Sequence, residues 1–378
     1  MKSRSGTELA RLAAALLLTL GGASAGAAET GSARQAIDLA ADYLVRVQTD
    51  RGFFLYDVNF ETGKPSGKSS IVRQAGTAFS LAEYLAINRS APVKRSVRNA
   101  LEALWGRSVT YRARRQQLVS GSRSVSKART GATALALLTE TLYYRATGDG
   151  RFETARAAWL NGLLALRLRG RGFRKTAFSK QESPYFNGEA WLALAHYYET
   201  FRDPKVSTVL KSLDGYLLKR YGRKPEIGFY HWGMMAAAIR YRVTRDLRFL
   251  TFIEDQTRHY LEELRPVVKP KPNTCYALEG LLTASQVLTD RWAGSEILPT
   301  LSDRLKAEVE KNLSFQLLDV TGLKPLPAGR SGEPVDMTRF RGLFFARSDR
   351  KYSRVDHTQH CLSAFVRLSA METASARP

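Results

Sequence analysis

Acidic residues are scarce in this chain: 35 Asp and Glu stand against 58 Lys and Arg, a formal charge of +23 over 378 residues. Such a field repels polycations and concentrates polyanions at the surface. Cysteine is scarcer still. Two residues, Cys275 and Cys361, cannot build a disulfide scaffold, so the core must come from apolar packing. They read as buried thiols, with a single bridge between neighbouring helices as the alternative. Neither C-x-x-C nor H-E-x-x-H occurs, so no metal is called for. A G-x-S-x-G elbow, a Gly-rich phosphate loop and a nucleotide fingerprint are absent too, and no cofactor is implied. Long apolar runs are also missing. The N-terminal run Leu12 to Leu20 is about half of the ~20 residues that a membrane span needs.

That run has a different use. Lys2, Arg4 and Arg11 supply positive charge around it, and small residues from Gly21 to Ala28 follow, the layout of a secretory signal peptide over 1–28. The expected mature chain is a single domain at 29–370 with a disordered tail at 371–378, periplasmic or secreted. Export narrows the polyanions within reach to acidic polysaccharides, phosphorylated envelope polymers and lipid headgroups, and counts against nucleic acid.

What the chain does have is a repeat. Six segments open on a polar or aromatic residue and continue as small, apolar helices, near Arg73, Arg129, Tyr185, Tyr230, Asn273 and Asp356. A helix without a polar face is a buried one. Amphipathic helices alternate with them, at 33–49, 92–105, 151–168, 204–220, 246–264 and 300–316. The step is about 50 residues, with one of about 80. Thr147-Gly148-Asp149, Arg202-Asp203-Pro204 and Thr244-Arg245-Asp246 punctuate the pairs as turns. This pattern predicts an all-α fold, an (α/α)6 toroid of six inner and six outer helices. The longer, more polar connections, 50–72, 106–128, 169–184, 221–229, 265–272 and 317–355, all emerge where the inner helices begin. Free N–H groups and the positive dipole end make that face an anion site.

The candidate chemistry gathers at this mouth. Glu189, flanked by Gly188 and Trp191, is the acid candidate, because an apolar surround raises a carboxyl pKa toward the range a general acid needs. Asp57 and Asp356 are candidate second carboxylates; two carboxylates flanking a glycosidic bond define a hydrolase. His231 opposite His357 or His360 suits the removal and return of a proton at a sugar carbon, which is epimerase chemistry. Arg73, Gln74, Arg129, Tyr185, Asn187, Tyr230, Trp232, Arg354 and His360 are the candidate substrate-binding residues, with Glu279 also in the constellation. Aromatic faces stack on sugar rings and arginines hold carboxylates. The Arg-rich segment 106–128 is either a mobile basic flap or a polyanion clamp.

The openings RQAGTAFSLAEYLA from Arg73, YFNGEAWLALAHYYE from Tyr185 and VDHTQHCLSAF from Val355, with outer-helix ends running into Gly52-Phe53 and Gly172-Phe173, carry a resemblance. Over almost the whole mature chain the sequence resembles the (α/α)6-barrel carbohydrate enzymes, the six-hairpin glycosidases. It looks most like the branch holding unsaturated glucuronyl hydrolases, N-acylglucosamine 2-epimerases and the C-terminal domain of glucuronyl C5-epimerases. The resemblance implies two inner-helix histidines for an epimerase, here His231 with His357 or His360, or paired carboxylates including Glu189 for a glycosidase. The Cys/Cys/His zinc order of lanthionine-cyclase toroids is not matched around Cys275 and His360-Cys361. The expected function is an exported protein that binds, and cleaves or epimerises, an anionic uronic-acid-type polysaccharide or oligosaccharide. The alternative is a non-catalytic toroid that holds an envelope polymer or a partner protein.

Overall fold

The computed structural model describes residues 23–323, 325–327 and 334–375. Most of the expected leader, 1–22, therefore lies outside the described residues. Six outer helices, α1 (Ala23–Arg46), α3 (Ala91–Gly106), α5 (Glu153–Ala165), α7 (Pro204–Arg223), α9 (Arg248–His259) and α11 (Leu298–Leu313), alternate with six inner ones. The inner helices are α2 (Ile71–Ile87), α4 (Thr130–Thr147), α6 (Pro184–Phe201), α8 (Ile227–Thr244), α10 (Cys275–Arg291) and α12 (Val355–Ser375). Each inner helix packs on the next, and α12 returns to α2. The ring is closed, as the apolar repeat predicts. Helix α12 runs through 371–375, so that part of the expected tail is helical; 376–378 lie outside the described residues.

The alternation follows from side-chain chemistry. In α3, Val93, Val97, Leu101 and Leu104 form one buried stripe, and its N-cap Ser90 accepts the Val93 amide. Asp203 caps α7 in the same way, with Pro204 in the first turn. The inner helices have no such wet face. Buried residues run without a break from Gly228 to Arg240 in α8 and from Thr130 to Tyr143 in α4.

Glycine lets these buried helices approach. A Cβ on Gly188 of α6 would lie 2.5 Å from the Trp232 Cβ of α8. A Cβ on Gly280 of α10 would lie 2.6 Å from the Tyr230 ring and 3.2 Å from the His231 Cα. Both contacts fall near the helix N-termini, at the mouth.

The connections on that face are built to a common plan. Isolated bridges pair Gln48 with Phe54, Arg167 with Phe173 and Gln316 with Phe344. In each case the phenylalanine amide donates to the fourth residue of the next inner helix: Gln74 Oε1 at 2.8 Å, Asn187 Oδ1 at 2.8 Å and Thr358 Oγ1 at 2.9 Å. Strand β1 (Asp57–Asn59) pairs antiparallel with β4 (Tyr352–Arg354), tying the first loop to the last. Segment 106–128 is not a loose flap. It forms a hairpin of β2 (Ser108–Tyr111) and β3 (Ala113–Val119), packed on α5. A Cβ on Gly162 would lie 2.1 Å from the Gln117 carbonyl oxygen, and Trp159 Nε1 donates to Ser108 Oγ at 2.8 Å.

The glycine contacts make a paired test. Gly280→Ala should destabilise the fold by about 1–3 kcal/mol, because the buried Tyr230 ring cannot yield. Gly215→Ala, on the exposed side of α7 with nothing within 4 Å, should instead stabilise it by about 0.5–1 kcal/mol through helix propensity. Urea unfolding midpoints of the two variants should move in opposite directions.

Candidate active site

Near the starts of α8, α10 and α12, the ring brings His231, Glu279 and His360 together. One nitrogen or carboxylate oxygen from each lies within 4.8 Å of those of the other two. His360 Nδ1 sits 3.0 Å from Glu279 Oε2, and the two imidazole centroids are 5.5 Å apart. Trp232, Tyr276 and Tyr185 surround the His231 ring at 4.8, 5.8 and 6.4 Å. Neither His231 nitrogen has a hydrogen-bond partner among the described residues, and neither has Glu279 Oε1.

Burial separates the two histidines electrically. Desolvation, and then the nearby charge of His360, hold His231 well below its ordinary value, so it is neutral at pH 7. Burial alone would depress His360 as well. The Glu279 carboxylate more than reverses that, and His360 ends above its ordinary value. One ring is thus a neutral base, and its neighbour is biased toward the charged acid.

A second cluster flanks the first. Asp356 accepts Arg73 Nε at 2.9 Å and Arg354 Nη2 at 2.8 Å, while Arg73 Nη1 donates to the Tyr56 hydroxyl at 2.8 Å. Burial would raise the Asp356 carboxyl, but Arg354, His357 and Arg73 outweigh it and hold it well below the carboxylate range. Two guanidiniums share one carboxylate here, which leaves one positive charge uncompensated, and the charges of Arg73 and Asp356 both act on His360.

Glu189 stands apart from the arginines. Its carboxyl is buried against α4, where a Cβ on Gly131 would meet Oε2 at 2.0 Å, and Oε2 has no hydrogen-bond partner among the described residues. Burial pushes its pKa well above the ordinary value. Glu189 is thereby biased toward its protonated form.

Several sequence candidates are occupied elsewhere. Asp57 accepts the Ser66 amide and the Tyr352 hydroxyl, both at 3.1 Å, and so pins the first loop. Gln74 and Asn187 hold the Phe54 and Phe173 backbones, as described above. Tyr230 turns out of the cleft and stacks on Tyr260 at 4.3 Å. His357 accepts the Arg354 amide at 3.1 Å; it is His360 that meets His231. Arg129 precedes α4 half-buried, its backbone bridged to Thr176. Tyr185 remains 49% exposed at the mouth.

The cysteines correct the thiol reading. Cys275 and Cys361 are bonded to each other, fully buried between α10 and α12. The bridge lies next to His360 and one turn before Glu279, so it staples the two helices that carry that pair. Asn273 caps it, accepting the Cys275 amide at 3.0 Å. With both sulfurs used, a Cys/His zinc site is excluded; among the described residues, His231, Glu279 and His360 form a grouping that could hold a cation. Sequence reading left Glu279 without a role and passed over Tyr276. A lone acid in the apolar run CYALEGLL was the available signal.

No protein-family profile matches the chain, and no curated protein matches it by sequence. Solved structures do match. An α-1,6-mannanase from Salegentibacter sp. HEL1_6 aligns at 11% identity and a TM-score of 0.64, over 90% of this chain and 99% of its own. A sugar epimerase from a ruminal bacterium aligns at 12% and 0.62, over 90% and 99%. An unsaturated glucuronyl hydrolase specific for heparin aligns at 12% and 0.61, over 92% and 100%. The chain has the (α/α)6-barrel fold of the six-hairpin glycosidase-like proteins. Among the described residues, no helix is long and apolar enough to cross a membrane.

Two outcomes follow from the site's construction. The bridge closes a loop of 86 residues, so the double variant Cys275→Ala/Cys361→Ala should lose about 2–4 kcal/mol in urea unfolding. His357, lowered by burial to about 4, should make stability pH-dependent. The unfolded chain takes up a proton below about 6.5 that the folded chain refuses. This contribution is complete above that pH and is lost as the pH falls toward 4. His357→Gln should flatten the fall in melting temperature across that window.

Proposed function

We propose that this protein is an exported carbohydrate-active enzyme that epimerises an anionic, uronic-acid-type sugar in its central cleft. The observation that carries this reading is the pairing of His231 with His360, whose imidazole centroids lie 5.5 Å apart at the floor of the mouth. The two rings converge on one point near the inner-helix starts. A substrate carbon admitted between them would part them to about 6 Å and have one imidazole on each face, at the ~3 Å that proton transfer requires.

The chemistry follows from the neighbours. In a uronic acid, the carbon bearing the carboxylate carries the acidic C–H bond. Neutral His231 accepts that proton, and the electron pair moves onto the carboxylate. Arg73 and Arg354 supply the uncompensated charge that holds the carboxylate and stabilises the added negative charge. Charged His360, held by Glu279, returns a proton to the carbon from its own side. Return from the opposite face inverts the centre, with no net gain or loss of atoms or electrons. Trp232 and Tyr276 keep the pair poor in water, which strengthens each of these interactions. The buried disulfide supports export, since such bonds persist in oxidising compartments.

Hydrolysis is the second reading, favoured by Glu189 as a buried acid whose pKa is raised and whose Oε2 has no hydrogen-bond partner among the described residues. It lacks a free second carboxylate: Asp356 is committed to two arginines, and Asp57 to Ser66 and Tyr352.

Deuterium wash-in tests the proposal. Acidic oligosaccharides incubated with the protein in D2O should gain deuterium at the carboxylate-bearing carbon and yield both epimers by NMR. His231→Asn and His360→Gln should each slow this by about 10²–10⁴-fold. New reducing ends without deuterium would replace epimerisation by hydrolysis. Binding with neither product would leave a non-catalytic toroid.

A further inference from the structure

We infer that an extended acidic polysaccharide binds along a basic lip built from hairpin β2–β3, residues 120–128 and the loop before α6, and enters the cleft from there. The inference rests on the carbohydrate reading for the choice of polymer. The chain has no carboxylate between Glu102 and Glu140, nor between Glu153 and Glu182. Tertiary structure lays these two acid-free stretches side by side. Arg129 bridges Thr176, the Tyr111 hydroxyl donates to the Ala177 carbonyl at 3.1 Å, and the Thr130 amide donates to the Lys175 carbonyl at 3.4 Å.

The result is a basic surface that carries exposed Arg112, Arg114, Arg115, Arg123, Lys127 and Lys175. None of the six has an ion-pair partner among the described residues. Some arginines elsewhere are neutralised locally: Arg145 and Arg242 share Glu199, and Arg248 pairs with Asp246. Gathering like charges costs self-repulsion, which a bound polyanion would relieve. The lip is also held in place. Its hairpin is packed on α5 at Gly162 and Trp159, and the Val119 amide donates to Thr133 Oγ1 at 3.0 Å.

Aromatics continue the track inward. Phe178, next to Ala177, is 70% exposed and presents a flat aromatic face at the lip. Tyr185 follows at the start of α6, with its ring 6.4 Å from that of His231. Cations outside and two flat faces leading to the histidines fit a chain of acidic sugar rings. A duplex nucleic acid would use the cations and have no need of the route into the cleft.

The test is equilibrium binding of fluorescent polygalacturonate and, separately, of a DNA duplex to the full chain. Polygalacturonate should bind, and its affinity should fall steeply from ~50 to ~200 mM salt, as expected where counterions are released. Arg112→Ser/Arg114→Ser/Arg115→Ser should weaken binding by about tenfold or more and flatten the salt dependence. The matching triple Lys variant should keep both affinity and slope. Phe178→Ser should weaken binding without changing the slope. Parent protein that ignores polygalacturonate, a triple Ser variant that binds like the parent, or DNA bound as tightly as the glycan would each overturn the inference. No turnover is read, so failure here is distinguishable from failure of the epimerase proposal.

Discussion

The close approach of six buried helices around one axis is the constraint on which the rest of this structure depends. An α-helix with ordinary side chains keeps its neighbours about 8–10 Å away. Where α6 meets α8 and α10 meets α8, Gly188 and Gly280 remove the side chain from the contact. The backbones then close in at the end where the inner helices begin. Glu279 precedes Gly280, and the Gly280 contact is with the backbone of His231 itself. The same close packing that shuts the ring therefore sets the distance between a carboxylate and an imidazole. The Cys275–Cys361 bridge fixes the other side of that arrangement, joining α10 to α12 beside His360.

Ionisable groups in such a place take their properties from the packing around them. Burial holds His231 below and Glu189 above its ordinary value, so each is biased toward its uncharged form, with the charge of His360 adding to the effect on His231. His360 and Asp356 are biased the other way, toward their charged forms, because an opposite charge is bonded to each. Neutral and charged groups alternate within one cleft, which is a condition for moving protons there. Outside the cleft, buried pairs do mechanical work: Arg156 with Glu140, and Arg240 with Asp214, fasten outer helices to inner ones.

Much of the architecture was legible in the sequence. The apolar, small-residue helices announced burial by lacking a polar face, and their spacing gave the count of six pairs. The turn at Thr147-Gly148-Asp149 and the cap at Asp203-Pro204 fell where the helices end and start. The hairpin at 108–119 was missed because its alternation is short, Val109 and Tyr111 on one strand, and the run Arg112 to Gln117 between them and Leu118-Val119 is almost wholly polar. At the site, the cluster of polar helix starts was visible as a set, but not the division of labour within it. Gln74, Asn187 and Asp57 have the residue types of a binding site and serve as loop ties. His357 and His360 share a helical face by spacing, yet only one of them turns toward His231.

Composition and periodicity by themselves determined an all-helical ring, a mouth at the inner-helix N-termini and a basic surface, because each is a property of which residues are buried and in what order. Tertiary structure alone decided which side chains meet. The partnership of His231 with His360 and Glu279 joins residues up to 129 positions apart in the chain. The basic lip depends on two acid-free stretches that touch only after folding. The cysteine bridge depends on a helix register that no local pattern encodes. Contacts of this kind are set by packing angles and by glycine-sized gaps, quantities that a linear pattern of apolar and polar residues does not carry.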